Sequence, residues 1–404
     1  MRDRLRIVVL GMMGRCPYGG QTWAYLNWML GLAKLGHEVW YVEDDSVWPY
    51  DPVKNSITND GQYAATHIQR NMERIGLANR WAYRLHGEPG SPWGLEASQI
   101  AELYRSCDLL LNIAGAVALR DEHLAAPRRV YVETDAVTAE LRLSMGDEFT
   151  RLAFADHHVI ATYGENYGAP DCGVPLNGLT YVKTRQATDL EWWSVAYDPA
   201  ATHFTTIGNY RQSGNDVCFN GEWYRWSKHH EWEKFLTLAQ RTSQQFEIAT
   251  HADPVDRERL ERHGWQLTPA HPFTLDIFGA YRDYFRRSRG AFTVAKDQNV
   301  RLRSGWFSDR EACYLAMGKP VITQDTRFDV VLPTGEGLFA VNTVDEALAA
   351  VDAINSDYPR HCAAARAIAE EFFDATRVAA RLLDDVMQAE PHHLASRLPM
   401  MAGG

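Results

Sequence analysis

Nowhere in its 404 residues does the chain have an apolar run approaching the 18 or more residues that a membrane-spanning helix needs. It also lacks paired cysteines. Cys16, Cys107, Cys172, Cys218, Cys313 and Cys362 are scattered without a C-x-x-C, which excludes the usual zinc spacings and fits reduced thiols better than a disulfide framework. Cations are scarce, 41 Lys and Arg against 52 Asp and Glu, and the formal net charge of −11 makes a nucleic-acid backbone or an anionic membrane a repelling partner for the average surface. There is no internal repeat, heptad or low-complexity tract, and no H-x-x-x-H for a metal. The opening MRDRLRIVVLGMMG has the basic flank of a signal peptide, but its apolar run is short, broken by glycine and without an A-x-A site, so it reads as a first strand. The expectation is a cytoplasmic protein with no membrane span.

What is present is the hydrophobic content of an ordinary globular protein, 46%, in a chain longer than one core usually serves. Arg6 to Met13 reads as a strand, GMMGRCPYGG as a loop, QTWAYLNWMLGLAKLG as a helix and HEVWYVEDD as the next strand, closing a β-α-β unit. Further strands are legible at CDLLLNIAG (107–115), RRVYVETDA (128–136) and HHVIATYG (157–164), with room for helical crossovers between them. Periodicity fades between 173 and 195, as in an interdomain connection. A second series follows: HFTTIGNY (203–210), a helix at WEKFLTLAQRT, QFEIAT and GAFTVAK (290–296). The expected architecture is α/β, two Rossmann-like, doubly wound domains. The boundaries drawn are 1–182, 183–374, a final helix at 375–392 capped by Asp374, and a disordered tail at 393–404.

The stretch SGWFSDREACYLAMGKPVITQDT, Ser304 to Thr326, carries the densest local signals. Ser308 with Glu311 three residues on is a capping-box pattern that starts a helix at Asp309. Gly318 stops that helix and Pro320 forbids its return. Val321 to Thr323 form a buried strand, leaving Gln324, Asp325 and Thr326 at its carboxyl end, the edge where open α/β sheets bind ligands.

This stretch, followed by LPTGEGLFAVNTVDEALAAV, resembles the donor-site region of bacterial family-1-like or family-4-like glycosyltransferases, and VETDA with HHVIATYGENYG resembles weaker stretches of the same group. The resemblance implies the GT-B fold: two Rossmann-like domains facing a central cleft, the C-terminal helix crossing back to the first. It implies a nucleoside diphosphate sugar as co-substrate bound mainly by the second domain, an acceptor bound by the first, and no cofactor. The pattern departs at Cys313, where many members carry a Glu on the donor ribose; Glu311 and Asp309 are the available substitutes.

Sugar transfer builds negative charge on a leaving diphosphate, which helix N-termini and cations stabilise where no metal does so. Lys296, at the end of a buried strand, is the preferred phosphate ligand and Arg310 the second, while Arg301 and Arg303 read as surface cations. Ser308 and Glu311 serve equally well as a cap, and Asp325 and Thr326 also suit a plain turn; the edge position favours a sugar contact for Asp325. On the first-domain side, Gly14, Gly19 and Gly20 would let a loop approach a ligand closely. Trp306 is the aromatic placed to stack on a sugar, with Trp23, Trp28, Trp223 and Trp226 as further aromatics. The acceptor's proton needs a base, and Asp135 at the carboxyl end of RRVYVETDA is best placed. Glu133-Thr134-Asp135 superficially matches an acid-x-acid metal motif and is given little weight. The rivals are a nucleotide-sugar epimerase on the same fold, a non-catalytic sugar-nucleotide-binding protein, and an NAD-dependent oxidoreductase, for which Glu43 at the end of the second strand would be the ribose carboxylate.

Overall fold

Apolar runs flanked by helical stretches become parallel strands because crossover helices cover both faces of each sheet. The computed structural model describes residues 4–44, 46–87, 92–392 and 394. Its first sheet contains β1 (Arg6–Leu10), β2 (Glu38–Glu43), β3 (Trp81–Tyr83), β4 (Trp93–Gly94), β5 (Leu109–Ile113), β6 (Arg129–Glu133), β7 (Val159–Thr162) and β8 (Tyr181–Lys183). The spatial order is β8-β7-β6-β5-β1-β2-β3-β4, parallel except for the edge strand β4. The second sheet contains β9 (His203–Ile207), β10 (Gln245–Ala249), β11 (Gln266–Thr268), β12 (Gly290–Thr293), β13 (Val321–Gln324) and β14 (Leu338–Val341). It is fully parallel in the order β11-β10-β9-β12-β13-β14. Both sheets thus reverse direction beside their first strand, between β1 and β5 and between β9 and β12. The crevice at such a reversal is where these sheets hold ligands.

Six helices matter below: α1 (Gly19–Lys34), α2 (Gln62–Arg74), α3 (Thr138–Ser144), α4 (Asp297–Arg301), α5 (Asp309–Ala316) and α6 (Ala375–Gln388). Asp374 caps α6 by accepting from the backbone N–H groups of Thr376 and Arg377, a contribution of about 1 kcal/mol. The apolar face of α6, including Val378, Leu382 and Val386, then lies on α1 of the first domain. Their approach is so close that a Cβ on Gly31 would meet the Ala375 carbonyl oxygen at 2.4 Å. Arg128 fixes the far end of α6, donating to the Val386 and Ala389 carbonyls. The final helix therefore crosses back to the first domain. Among the described residues no helix is long and apolar enough to cross a membrane. Of the tail at 393–404 only Leu394 lies within the described residues.

Three sequence expectations are corrected. The stretch from Trp232 is not one helix but the end of a helical turn at His229–Trp232 followed by 3₁₀ turns at Glu233–Phe235 and Leu238–Gln240. Trp232, Phe235 and Leu238, three residues apart as the 3₁₀ period places them on one face, enter the second domain's core together with Leu236. The connection after residue 173 contains β8, which extends the first sheet beside β7. Gly19 and Gly20 are not loop residues but the first turn of α1.

Candidate functional site

The second domain's reversal point is built from the chain leaving β9 and β12. After Ile207 the backbone turns at Gly208, and Arg310 from α5 donates to the Ile207 carbonyl beside it. After Thr293 the chain runs through Ala295 to Lys296, which precedes α4. Lys228 enters between them from the segment before His229. Gly208, Asn209, Lys228, Thr293 and Arg310 line a residual cavity of about 20 Å³ at this point. A much larger cavity, about 860 Å³, lies elsewhere, between α2 with its preceding loop and the second-domain segment Leu275 to Gly279.

Three cations therefore meet at the crevice. The Lys228 ammonium is buried and has no hydrogen-bond partner. Burial, with the Arg310 charge adding to it, pulls it down to about 7, and Glu311 opposes the fall. Its Nζ lies 5.6 Å from the centre of the Trp306 ring. The Lys296 ammonium sits 3.0 Å from the centre of the Trp226 ring and 2.6 Å from Asp135 Oδ1 across the domain boundary. Burial lowers Lys296 and the Asp135 charge counters it. Asp135 itself is half open, its side chain 51% exposed, so a second carboxylate oxygen remains available beside the cation.

The start of α5 supplies the fourth positive element. Gly305 adopts φ 79° and donates its N–H to the Thr326 carbonyl at 2.7 Å, turning Trp306 toward the first domain, where its indole donates to the Thr134 carbonyl at 2.8 Å. Ser308 stands at the N-cap in extended conformation, but its hydroxyl does not cap the helix. Only half of the expected capping box forms, with the Glu311 carboxylate taking the Ser308 N–H together with the Thr323 hydroxyl. Burial raises Glu311, and the neighbouring Lys228 charge holds it back. Asp309 opens the helix; burial, then the Asp135 charge, push its carboxyl up to about 7.

Several expected donor contacts are committed to the protein. Gln324 accepts from the Ala295 N–H and donates to Glu231, tying β13 to its neighbours with 2% exposure. The Thr326 hydroxyl donates to the Trp306 carbonyl and is buried. Asp325 Oδ1 accepts the Arg327 N–H at 2.7 Å, an Asx turn that lets Arg327 take φ 73°. Burial raises the Asp325 carboxyl. Gln324 and Thr326 shape the wall rather than present themselves to it, while Asp325 stays half-buried. Arg301 pairs with Glu222 and Arg303 with Asp171, the surface pairing expected of them. Cys313, at the position of the missing ribose Glu, is buried on the inner face of α5.

The first-domain glycines do not face open space. Gly19 lies against the Tyr281 ring, where an added Cβ would approach to 2.6 Å, Gly20 faces the Tyr281 hydroxyl, and Gly14 packs on Ile68. Glu43 is fully buried and accepts the N–H groups of Gly14 and Arg15, at 2.8 and 2.6 Å, which organises the loop and leaves no carboxylate for a dinucleotide ribose. Trp23 and Trp28 are core residues, and Trp223 is exposed on the hairpin of Val217–Phe219 and Glu222–Tyr224. Glu133 turns inward to Glu140 while Asp135 turns outward to Lys296, so the acid-x-acid pair does not converge on one ion. Among the described residues the grouping able to hold a metal is Asp44, Glu122 and His123, and Arg84 and Arg120 already supply its positive charge. The sequence reading missed Lys228. Its one signal was a lysine just before a helical turn in the segment after β9.

No protein-family model matches the sequence, and no curated protein does. Solved structures match over nearly its whole length. An alpha-glucosyltransferase in complex with UDP and a 13-mer DNA aligns with TM-score 0.58 at 12% identity, covering 96% of this chain and 100% of that one. The Anabaena protein HepE in complex with UDP and glucose aligns with TM-score 0.56 at 12% identity, covering 96% and 100%. Sucrose-phosphate synthase from Thermosynechococcus elongatus aligns with TM-score 0.53 at 10% identity, covering 94% and 98%. The fold is GT-B. In a GT-B molecule the two reversal points face one another across the cleft, and here the Lys296–Asp135 pair bridges the two domains at that cleft.

Proposed function

We propose that this protein is a glycosyltransferase that moves a sugar, of hexosyl type, from a nucleoside diphosphate sugar to an acceptor hydroxyl. The observation that carries the reading is the convergence of Lys228, Lys296, Arg310 and the N-terminus of α5 on the second domain's reversal point, opposite a carboxylate from the first. A buried ammonium without a partner is costly unless an anion completes it, and a diphosphate has the required charge. In the proposed step the bond between sugar and diphosphate breaks and a bond from the acceptor oxygen forms. The leaving charge falls to the cations and the helix N-terminus, and the acceptor's proton passes to Asp135. Donor arrival has a second effect: phosphate competes for Lys296, which releases Asp135 from its ion pair. Fixed cations supply the countercharge in this scheme, so turnover should persist in the presence of a chelator.

A thermal-shift panel of UDP, dTDP, GDP, ADP and NAD tests the reading. One nucleoside diphosphate at about 100 times its dissociation constant should add roughly 2.7 kcal/mol of stability. Stabilisation by NAD alone would overturn the proposal, and donor turnover without any acceptor would replace it with an epimerase.

A further inference from the structure

Strand β6 ends by turning Glu133 into the first domain's core, where it meets Glu140 of α3. Both are buried, at 3% and 0% exposure. Glu133 Oε2 accepts from the Thr162 hydroxyl at 2.6 Å and, weakly, from Tyr167 at 3.4 Å. Glu140 Oε2 accepts from the Val137 N–H and the Tyr167 hydroxyl, both at 3.0 Å. Among the described residues the remaining oxygen of each, Oε1, accepts no formed hydrogen bond; the Tyr181 hydroxyl lies beside Glu140, and each carboxyl is the other's neighbour. The ionisable groups acting on the pair are Tyr131, Tyr167, Tyr181 and Asp135, none of which brings a positive charge. Two carboxylates in such a site cannot both ionise.

The pair sits under a strained turn. Val137 is β-branched yet holds φ 94° and ψ −50°, a strained conformation that needs its surroundings to impose it. Glu140 and the Tyr167 hydroxyl impose it together, Oε2 of Glu140 accepting the Val137 N–H at 3.0 Å and the Tyr167 oxygen at 2.8 Å. The same turn carries three contacts to the second domain: the Thr134 carbonyl to Trp306, Asp135 to Lys296, and the Thr138 hydroxyl to Gln298 at 3.1 Å.

We propose that Glu133 and Glu140 share one proton in a carboxylic acid–carboxylate hydrogen bond, and that this bond clamps the 133–138 turn so that Asp135 and its neighbours meet the second domain. Both are positioning residues, since neither faces the cleft. The clamp stands on the buried geometry alone, while its link to turnover rests on the role proposed above for Asp135.

Burial, with the Glu140 charge adding to it, holds Glu133 well above the usual carboxylate range, and burial raises Glu140. The native state therefore keeps a proton that the unfolded chain releases. The stability this gives is complete below the ordinary carboxyl range and is lost as pH rises through the raised native values. In Glu140→Gln an amide N–H takes the shared proton's place, and Glu133 remains as a single buried carboxyl freed of the Glu140 charge.

The experiment has three readouts on the full chain. Difference infrared spectra at pH 8 should show a protonated-carboxyl carbonyl band in the parent that disappears in Glu140→Gln and in Glu133→Gln. From pH 5 to 9 the melting temperature of Glu140→Gln should rise relative to the parent's. Glu140→Ala, which removes one of the two acceptors for Val137 and the partner that orients the other, Tyr167, should lower kcat with little change in the KM for donor, and Glu140→Gln should recover part of the loss. If Glu140→Gln fails to fold, Glu133→Gln carries the same spectral and melting comparison. A parent without the band, a band that survives both variants, or a variant whose melting follows the parent at every pH would each overturn the shared proton. The spectral and melting results stand even if no sugar is ever transferred.

Discussion

The burial of Lys228 in the crevice makes little sense without a ligand. The residue is 7% exposed, and its buried ammonium lacks a hydrogen-bond partner among the described residues and lies beside Arg310. Because the unfolded lysine stays protonated to about pH 10 while the native one falls to about 7, the unfolded chain binds more protons between those values. Stability from this group therefore rises with pH through that window and is at its lowest below it. Lys228→Met keeps the aliphatic stem and removes the titration. The melting temperature of the variant relative to the parent should be highest near pH 6 and fall toward pH 9, with Glu311 left free to remain neutral. The same substitution should weaken the preferred nucleoside diphosphate by about 10-fold to 100-fold, as expected for loss of a charge-assisted hydrogen bond. Calorimetry and melting on the same samples check both halves. A variant that melts lower at every pH and binds as the parent does would return Lys228 to a structural role.

At the scale of elements, α1 and α6 show how local chemistry fixes the return of the chain. Gly31 lies in the middle of α1, where glycine ordinarily costs about 0.5–1 kcal/mol relative to alanine. Here the Ala375 backbone occupies the space a Cβ would need. Gly31→Ala should therefore reverse the usual sign and destabilise, by about 1–3 kcal/mol as an overpacking change, read by thermal or denaturant unfolding. An increase in stability would mean that α6 is not seated on α1. Elements of this kind were largely legible in the sequence: the strands with continuous apolar runs, the Asp309 helix start and the Gly318 stop at φ 69° all form. The strands of two or three residues, β3, β4, β8 and β11, were not, because so short a run carries little periodicity of its own. The site was legible in its edge but not in its commitments. Sequence position places Gln324 and Thr326 at the carboxyl end of a strand, yet only tertiary contacts reveal that Ala295, Glu231 and Trp306 already claim their polar groups. Lys228 escaped for the converse reason: a lone lysine in a polar segment has no pattern until folding buries it.

For the molecule as a whole, the arrangement of the two domains raises a problem of entry. The cavity at the second domain's reversal point is about 20 Å³, far below the roughly 300–1,000 Å³ of small-molecule sites. Lys296 is held by Asp135, Trp306 by the Thr134 carbonyl, and Gln298 by Thr138, all across the boundary. A nucleoside diphosphate sugar cannot reach the three cations until these contacts part, so opening must come before binding. These three contacts are polar and each is worth on the order of 1 kcal/mol, small enough for them to part on the microsecond to millisecond scale of domain motions. The observed association rate of UDP, or of whichever nucleoside diphosphate the panel selects, should therefore level off at high concentration at the opening rate rather than climb without limit. Stopped-flow tryptophan fluorescence can follow it, since Trp306 and Trp226 sit beside Lys228 and Lys296. Lys296→Ala removes one of the bridging contacts and should raise that plateau even as it weakens the final complex. A rate that stays linear in ligand up to the diffusional range, in parent and variant alike, would show that the crevice admits its ligand without the domains separating.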